Sequence, residues 1–197
     1  MEKKQITEMV CILDKSGSMH GREEDTIKNF NQMLKEQKKH TEQAYVTTAL
    51  FSDQCSIFES HVPLCAAKEL TEQEYYAEGN TALFDAIGRV FSEVSRRLDS
   101  AGEEVEERVL VFIITDGLDN ASVEFEPGQI KAMIKEKQKK GWEILFFGTD
   151  VRILDQAWKA GIQRENTRCY TADAAGLEAG YRTAGERFAR MRRGKSI

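Results

Sequence analysis

Asp14, Ser16 and Ser18 stand at alternate positions in the run Val10-Cys11-Ile12-Leu13-Asp14-Lys15-Ser16-Gly17-Ser18-Met19. An apolar run stops at a carboxylate, and two hydroxyls follow with a glycine between them. Polar oxygens that leave the end of a buried strand on a tight loop can converge on one point. A hard cation such as Mg²⁺ takes that arrangement: about six oxygens in an octahedron, some of them from water. Two further stretches offer matching donors. Thr81 closes Gly79-Asn80-Thr81 just ahead of a helical pattern, and Asp116 ends the apolar run Ile113-Ile114-Thr115. The same residue types also build ordinary local structure. Ser16, Ser18 and Thr81 suit helix caps, and Asp116-Gly117 suits a type I turn.

Elements that would position these residues follow from periodicity. A buried strand is predicted over 8–13, then an amphipathic helix over 22–39 with Ile27, Phe30, Asn31 and Leu34 on one face. Residues 44–51 read as a second strand, returning over 55–59 as a hairpin through Ser52-Asp53-Gln54. A long connection spans 60–80, with Thr71 and Glu74 spaced as a capping box. After Thr81 comes the strongest stripe in the chain: Leu83, Ala86, Ile87, Val90, Phe91, Val94 and Leu98. Asp99–Glu107 reads as a charged surface loop, and Val109–Thr115 as a central parallel strand. Pro127 opens a helix and Gly141 stops it. A strand over 144–147, a helix ending near Gly161, an edge strand over 167–170 and a final helix over 173–192 complete the order. Gly176, Gly180 and Gly185 lower the helix propensity of that last segment, and its apolar stripe includes small residues such as Ala184, so modest docking is expected of it.

Strands alternating with helices imply a doubly wound α/β fold: a mostly parallel six-stranded sheet, one antiparallel edge strand, and helices on both faces, Rossmann-like in style. Ligands of such sheets bind at the carboxyl ends of strands, where the winding direction switches. Asp14 and Asp116 both lie there if their strands are neighbours, and Thr81 reaches the same crevice from its loop.

The three segments and their order resemble the von Willebrand factor type A domain and its metal-ion-dependent adhesion site. The family pattern is an Asp-x-Ser-x-Ser loop, a separate Thr, and an Asp after the fourth strand. Here these fall on Asp14, Ser16, Ser18, Thr81 and Asp116. Asn80 departs from the second glycine that many members carry, which alters loop stiffness and removes no ligand. The resemblance covers nearly the whole chain, so residues 1–197 are expected to form one such domain. It implies a Mg²⁺ or Mn²⁺ ion contacted by Ser16, Ser18 and Thr81, with the aspartates acting through water or as acceptors that orient the hydroxyls. It also implies a protein partner that supplies an Asp or Glu carboxylate to the ion. The expected function is a divalent-cation-dependent protein-binding module. A metal-dependent hydrolase acting on a phosphate ester is the alternative.

Other chemistries find little support. A phosphotransferase of the haloacid-dehalogenase type needs a second Asp two residues after the first, where this chain has Ser16. Ser16-Gly17-Ser18-Met19 is not a Gly-x-Ser-x-Gly elbow. His20 is close enough in sequence to be considered as a base, while His40 and His61 are read as a helix-end and a loop residue. Gly194-Lys195-Ser196 lacks a phosphate-loop glycine at Ala189 and a preceding strand. The basic tail at Arg190, Arg192, Arg193 and Lys195 reads as a solvated helix end. Cys11, Cys55, Cys65 and Cys169 contain no Cys-x-x-Cys pair and are expected to be free thiols.

Composition agrees with this class. The 197 residues are 41% hydrophobic and 31% charged, which suits a globular chain. A net charge of −5 argues against nucleic acid as a partner. The apolar run Met9–Leu13 is too short for a signal peptide, and no run approaches the ~20 residues of a membrane span. No membrane association is expected, and the expected compartment is the cytoplasm.

Overall fold

A computed structural model describes residues 4–101 and 105–194. Lys195 and Ser196, and positions 102–104 of the predicted charged loop, lie outside the described residues. In chain order the elements are β1 (Lys4–Asp14), α1 (Glu23–Lys38), β2 (Ala44–Phe51), β3 (Cys55–Pro63), α2 (Leu83–Ala101) and β4 (Val105–Thr115). They continue with α3 (Pro127–Lys139), β5 (Glu143–Gly148), α4 (Val151–Lys159), β6 (Thr167–Cys169) and α5 (Ala174–Arg192). The sheet has the order β3-β2-β1-β4-β5-β6. Only the β2–β3 pairing is antiparallel. This is the doubly wound α/β architecture the alternation of elements implies.

The winding direction reverses between β1 and β4. From β1 the chain moves outward through β2 to β3, then returns to β4 and moves the other way. Leu13 lies opposite Leu50 on β2 and Ile114 on β4, so Asp14 and Asp116 leave adjacent strands at the same end. Alternation along β1 assigns its two faces. Met9, Cys11 and Leu13 pack with Phe30 and Leu34 of α1 and Leu177 and Phe188 of α5. Val10 and Ile12 pack with Ile87 and Val94 of α2, Ile130 of α3 and Ala157 of α4. The central strands are buried on both sides, and that explains their unbroken apolar runs.

Several boundaries differ from expectation. β3 does not stop at Glu59 but runs to Pro63 across register shifts opposite Val46–Ala49. His61 sits in the bulged stretch with φ +50, and its N–H donates to Thr47 Oγ1 at 2.9 Å. A bulge breaks the two-residue alternation by which a strand is recognised. The predicted Asp99–Glu107 loop shrinks, because α2 extends to Ala101 and β4 begins at Val105. The Thr71–Glu74 box is present: Thr71 N–H donates to Glu74 Oε2 at 3.0 Å, and Gln73 N–H to Thr71 Oγ1 at 3.2 Å. Pro127 opens α3, and Gly141 follows its end with φ +87. Among the described residues, no helix is long and apolar enough to cross a membrane.

Modest docking of α5 is the expectation that the packing overturns. Its glycines are contact points, not weak ones. A Cβ on Gly185 would stand 3.2 Å from Met33 Cγ and 3.3 Å from Gln37 Nε2, and that amide donates to the Gly185 carbonyl at 2.8 Å. Losing a side chain lowers propensity but lets α5 approach α1 closely. Arg192 fastens the far end. Its Nη1 donates to the Gln37 carbonyl at 2.8 Å and its Nη2 to the Glu42 carbonyl, so it caps the C-terminus of α1 and the turn beyond. Arg192→Met is therefore expected to cost about 2 kcal/mol of stability, the scale of hydrogen bonds to a charged donor. Urea unfolding checks this; an unchanged midpoint would mean that apolar packing alone holds α5.

Candidate functional site

Each predicted site residue is placed by a different backbone device. Asp14 is the last residue of β1 and fully buried. The chain then turns: Lys15 N–H donates to the Phe51 carbonyl at 2.7 Å and Gly17 N–H to the Gly79 carbonyl at 3.0 Å. The second bond ties the Ser16–Ser18 loop to the segment that carries Thr81. Gly79 itself has φ +71, and a side chain there would collide with Asp53. Asp53 receives the Asn80 backbone N–H at 3.1 Å and the Asn80 amide at 2.9 Å. Asn80, the departure from the family pattern, thus supplies a loop contact.

All five side chains come together. Ser16 Oγ stands 3.0 Å from Ser18 Oγ and 3.0 Å from Thr81 Oγ1. Ser18 Oγ donates to Asp116 Oδ1. Asp14 is engaged differently. Its Oδ1 accepts the Ser16 N–H at 2.7 Å, and its Oδ2 accepts the Thr115 hydroxyl. Its carboxylate therefore orients the motif loop from beneath. Gly117 closes the cluster on one side. A Cβ there would meet Thr81 Oγ1 at 2.5 Å and Ser18 Oγ at 3.3 Å, so only glycine leaves room for those oxygens.

Residues that sequence reasoning did not single out complete the arrangement. The Arg22 guanidinium donates to Asp116 Oδ2, to the Ser18 carbonyl at 2.6 Å and to the Ala172 carbonyl at 3.2 Å. Asn120 Oδ1 accepts the Thr81 N–H at 2.8 Å, while the N–H groups of Asn120 and Ala121 return to the Thr81 carbonyl at 3.0 and 3.2 Å. Asp85 on α2 accepts three consecutive N–H groups, those of Val123, Glu124 and Phe125, each at 2.9 Å. The loop from Asp116 to Glu126 is held at both ends. His20, considered as a base, points away from the cluster: its side chain is 85% exposed and lies 3.3 Å from Glu23.

Burial pushes the Asp14 carboxyl up to about 6, against the lowering effect of its Thr115 and Ser16 hydrogen bonds, and the charge of Asp116 adds to the rise. Burial also raises Asp116, offset by Ser18 and Arg22. A nearby cation favours the ionised form of both. The donors are all hard oxygens. Adjacent ligands of an octahedral Mg²⁺, each ~2.1 Å from the ion, lie about 3 Å apart. The two hydroxyl spacings meet that requirement and equally describe ordinary hydrogen bonds. Among the described residues no group of three or more His, Cys, Asp or Glu gathers as for a metal. The cluster combines two carboxylates with three hydroxyls.

The oxygens open into a crevice of about 390 Å³ that is also lined by Leu118, Asp150, Arg152 and Ile153.

No protein-family model matches the sequence, and no curated protein matches it significantly. Solved structures do resemble it. Proximal thread matrix protein 1 from the mussel byssus, with a zinc-occupied MIDAS motif, superposes with a TM-score of 0.64 at 15% identity over 93% of this chain and 46% of that one. A von Willebrand factor type A structure from Catenulispora acidiphila gives 0.53 at 16%, over 94% and 43%. The pilus adhesin SpaC from Lactobacillus rhamnosus GG gives 0.71 at 11%, over 96% and 32%. This chain spans less than half the length of each of the three. At these identities the likeness is one of fold, and the fold is that of the von Willebrand factor type A domain.

Proposed function

We propose that this von Willebrand factor type A fold serves as a divalent-cation-dependent protein-binding module, without catalysis of its own. Ser16, Ser18 and Thr81 would hold Mg²⁺ or Mn²⁺, with Asp14 and Asp116 orienting the hydroxyls and balancing charge. The observation that carries this reading is the meeting of three hydroxyls and two carboxylates from three loops at the switch point of the sheet. The mussel byssus protein with its zinc-occupied motif supports a divalent ion on this fold. Zinc prefers nitrogen and sulfur ligands, whereas an oxygen-only set suits Mg²⁺ or Mn²⁺.

Neutral hydroxyls quench little of a cation's charge, so the ion would offer an electrophilic position that a partner's Asp or Glu carboxylate can fill. The chain's own residues prepare that position. Asp14 fixes the motif loop through the Ser16 N–H, Asn120 fixes Thr81 through its N–H, and Gly117 keeps space clear. A hydrolase would need a base within reach of a water. Among the described residues no histidine lines the crevice, and Asp150 there is taken up by Arg152 and by capping α4.

Mg²⁺ is expected to raise the melting temperature of the chelated protein. Saturation to a hundred times Kd gives about 2.7 kcal/mol, or roughly 5–10 °C for a chain of this size. Differential scanning calorimetry across a Mg²⁺ series, with reversal by chelator, tests this. A melting temperature unmoved at millimolar Mg²⁺ and Mn²⁺ would overturn the reading.

A further inference from the structure

Arg22 sets a fixed positive charge against the oxygen cluster. Its backbone is held where α1 begins: the Arg22 N–H donates to the Met19 carbonyl at 3.0 Å, and its carbonyl accepts the Thr26 N–H at 2.9 Å. The guanidinium then reaches three separate loops. Nη1 donates to Asp116 Oδ2 and to the Ser18 carbonyl at 2.6 Å, and Nε donates to the Ala172 carbonyl at 3.2 Å. The Asp116 side chain is only 5% exposed, and both of its oxygens are taken: Oδ1 by the Ser18 hydroxyl and Oδ2 by Arg22.

Other basic side chains near the cluster are drawn elsewhere. The Lys15 ammonium, inside the motif loop, goes to Glu78 at 3.0 Å and lies over the Tyr76 ring. Arg152, also lining the crevice, goes to Asp150 at 2.8 Å. Among the described residues, Arg22 is the cation hydrogen-bonded to a motif carboxylate. A guanidinium does not give up its proton in a protein, so this charge is permanent. It cancels one of the cluster's two negative charges. Asp14 carries the other, and its oxygens meet only the Ser16 N–H and the Thr115 hydroxyl.

We propose that the Arg22 guanidinium is a tethered counter-charge, which stands in for the divalent ion in the metal-free protein and competes with it for Asp116. This rests on the metal reading above and adds what limits the site's affinity. Without metal, Arg22 neutralises Asp116 and ties together the loops that follow β1, β4 and β6, so the hydroxyls stay gathered. With metal, the fixed unit charge repels the ion. An Asp116 oxygen already engaged by a charged donor is also a poorer acceptor for the ion or its water. A site weakened in this way is one whose occupancy follows the free cation concentration.

Isothermal titration calorimetry of Mg²⁺ and of Mn²⁺ into the chelator-treated full chain tests the proposal. Arg22→Gln removes the charge and keeps an amide donor, whereas Arg22→Lys keeps the charge and loses the planar fork. Arg22→Gln is expected to bind Mg²⁺ about tenfold more tightly than the parent, a size discounted for solvent screening of a part-exposed group. Its melting temperature in chelator should fall. Arg22→Lys should keep the parent's affinity. Arg22→Met, with no donor at all, repeats the test of charge should the glutamine variant fold poorly, and it too should bind more tightly. Metal affinity unchanged or weakened in the uncharged variants would overturn this inference and leave the metal reading standing. Equal tightening in Arg22→Lys would assign the effect to the guanidinium's hydrogen bonds and overturn the inference as well. Absence of binding by the parent and by every variant would overturn the metal reading and this inference with it.

Discussion

Asp14→Asn is expected to abolish the Mg²⁺-dependent rise in melting temperature while making the chelated protein more stable. The two effects have opposite signs and one cause. Asp14 is buried, and its two oxygens meet only a hydroxyl and an N–H, with no cation in contact. Its carboxyl is raised from 3.8 to about 6 by burial. A raised acid binds its proton more tightly when folded. Without metal, stability is therefore lost as pH climbs from about 4 through about 6, by about 3 kcal/mol in all. Asparagine keeps the shape and the acceptor for the Ser16 N–H. Its amide replaces the acceptor that faces Thr115, whose hydroxyl already lies 3.2 Å from the Gly117 carbonyl and can donate there instead. In chelator at pH 7 the variant should melt above the parent; in saturating Mg²⁺ the order should reverse. Equal Mg²⁺ stabilisation of parent and variant would place the ion elsewhere.

Asp85→Ala should cost more stability than any other substitution near the site. One carboxylate satisfies the N–H groups of Val123, Glu124 and Phe125, and removing it strands all three in a part-buried loop. A loss of about 3 kcal/mol or more is expected, read as a fall in the urea midpoint. The same loop supplies Gly117 and Asn120, so Mg²⁺ affinity should fall as well. A midpoint within error of the parent would show that the loop's backbone finds other partners.

Much of the fold was legible because its strands are extreme. Val109–Ile114 and Val10–Leu13 are apolar throughout, as strands covered on both faces must be, and α2 carries an unbroken stripe. Where a local rule is broken, reading failed. The bulge at His61 hid the second half of β3, and the glycines of α5 suggested weakness where they permit contact. At the candidate site, the family resemblance singled out the five oxygen-bearing residues, and the fold brings Ser16, Ser18, Thr81, Asp14 and Asp116 together. Arg22, Asp85 and Asn120 were missed for a different reason. Each acts on a residue or loop that only the fold brings near, across 94, about 40 and 39 positions of sequence, and no short-range pattern records such a pairing.

The central claim is that the oxygens of Ser16, Ser18 and Thr81 would hold a divalent ion, with Asp14 and Asp116 orienting the hydroxyls and balancing charge. Anomalous diffraction from crystals of the full chain grown in Mn²⁺ tests it most directly. The account predicts one strong anomalous peak among those three hydroxyls, absent from crystals of Asp14→Asn grown in the same way. Crystals with Mn²⁺ bound elsewhere and none among the hydroxyls, or an undiminished peak in the variant, would contradict it.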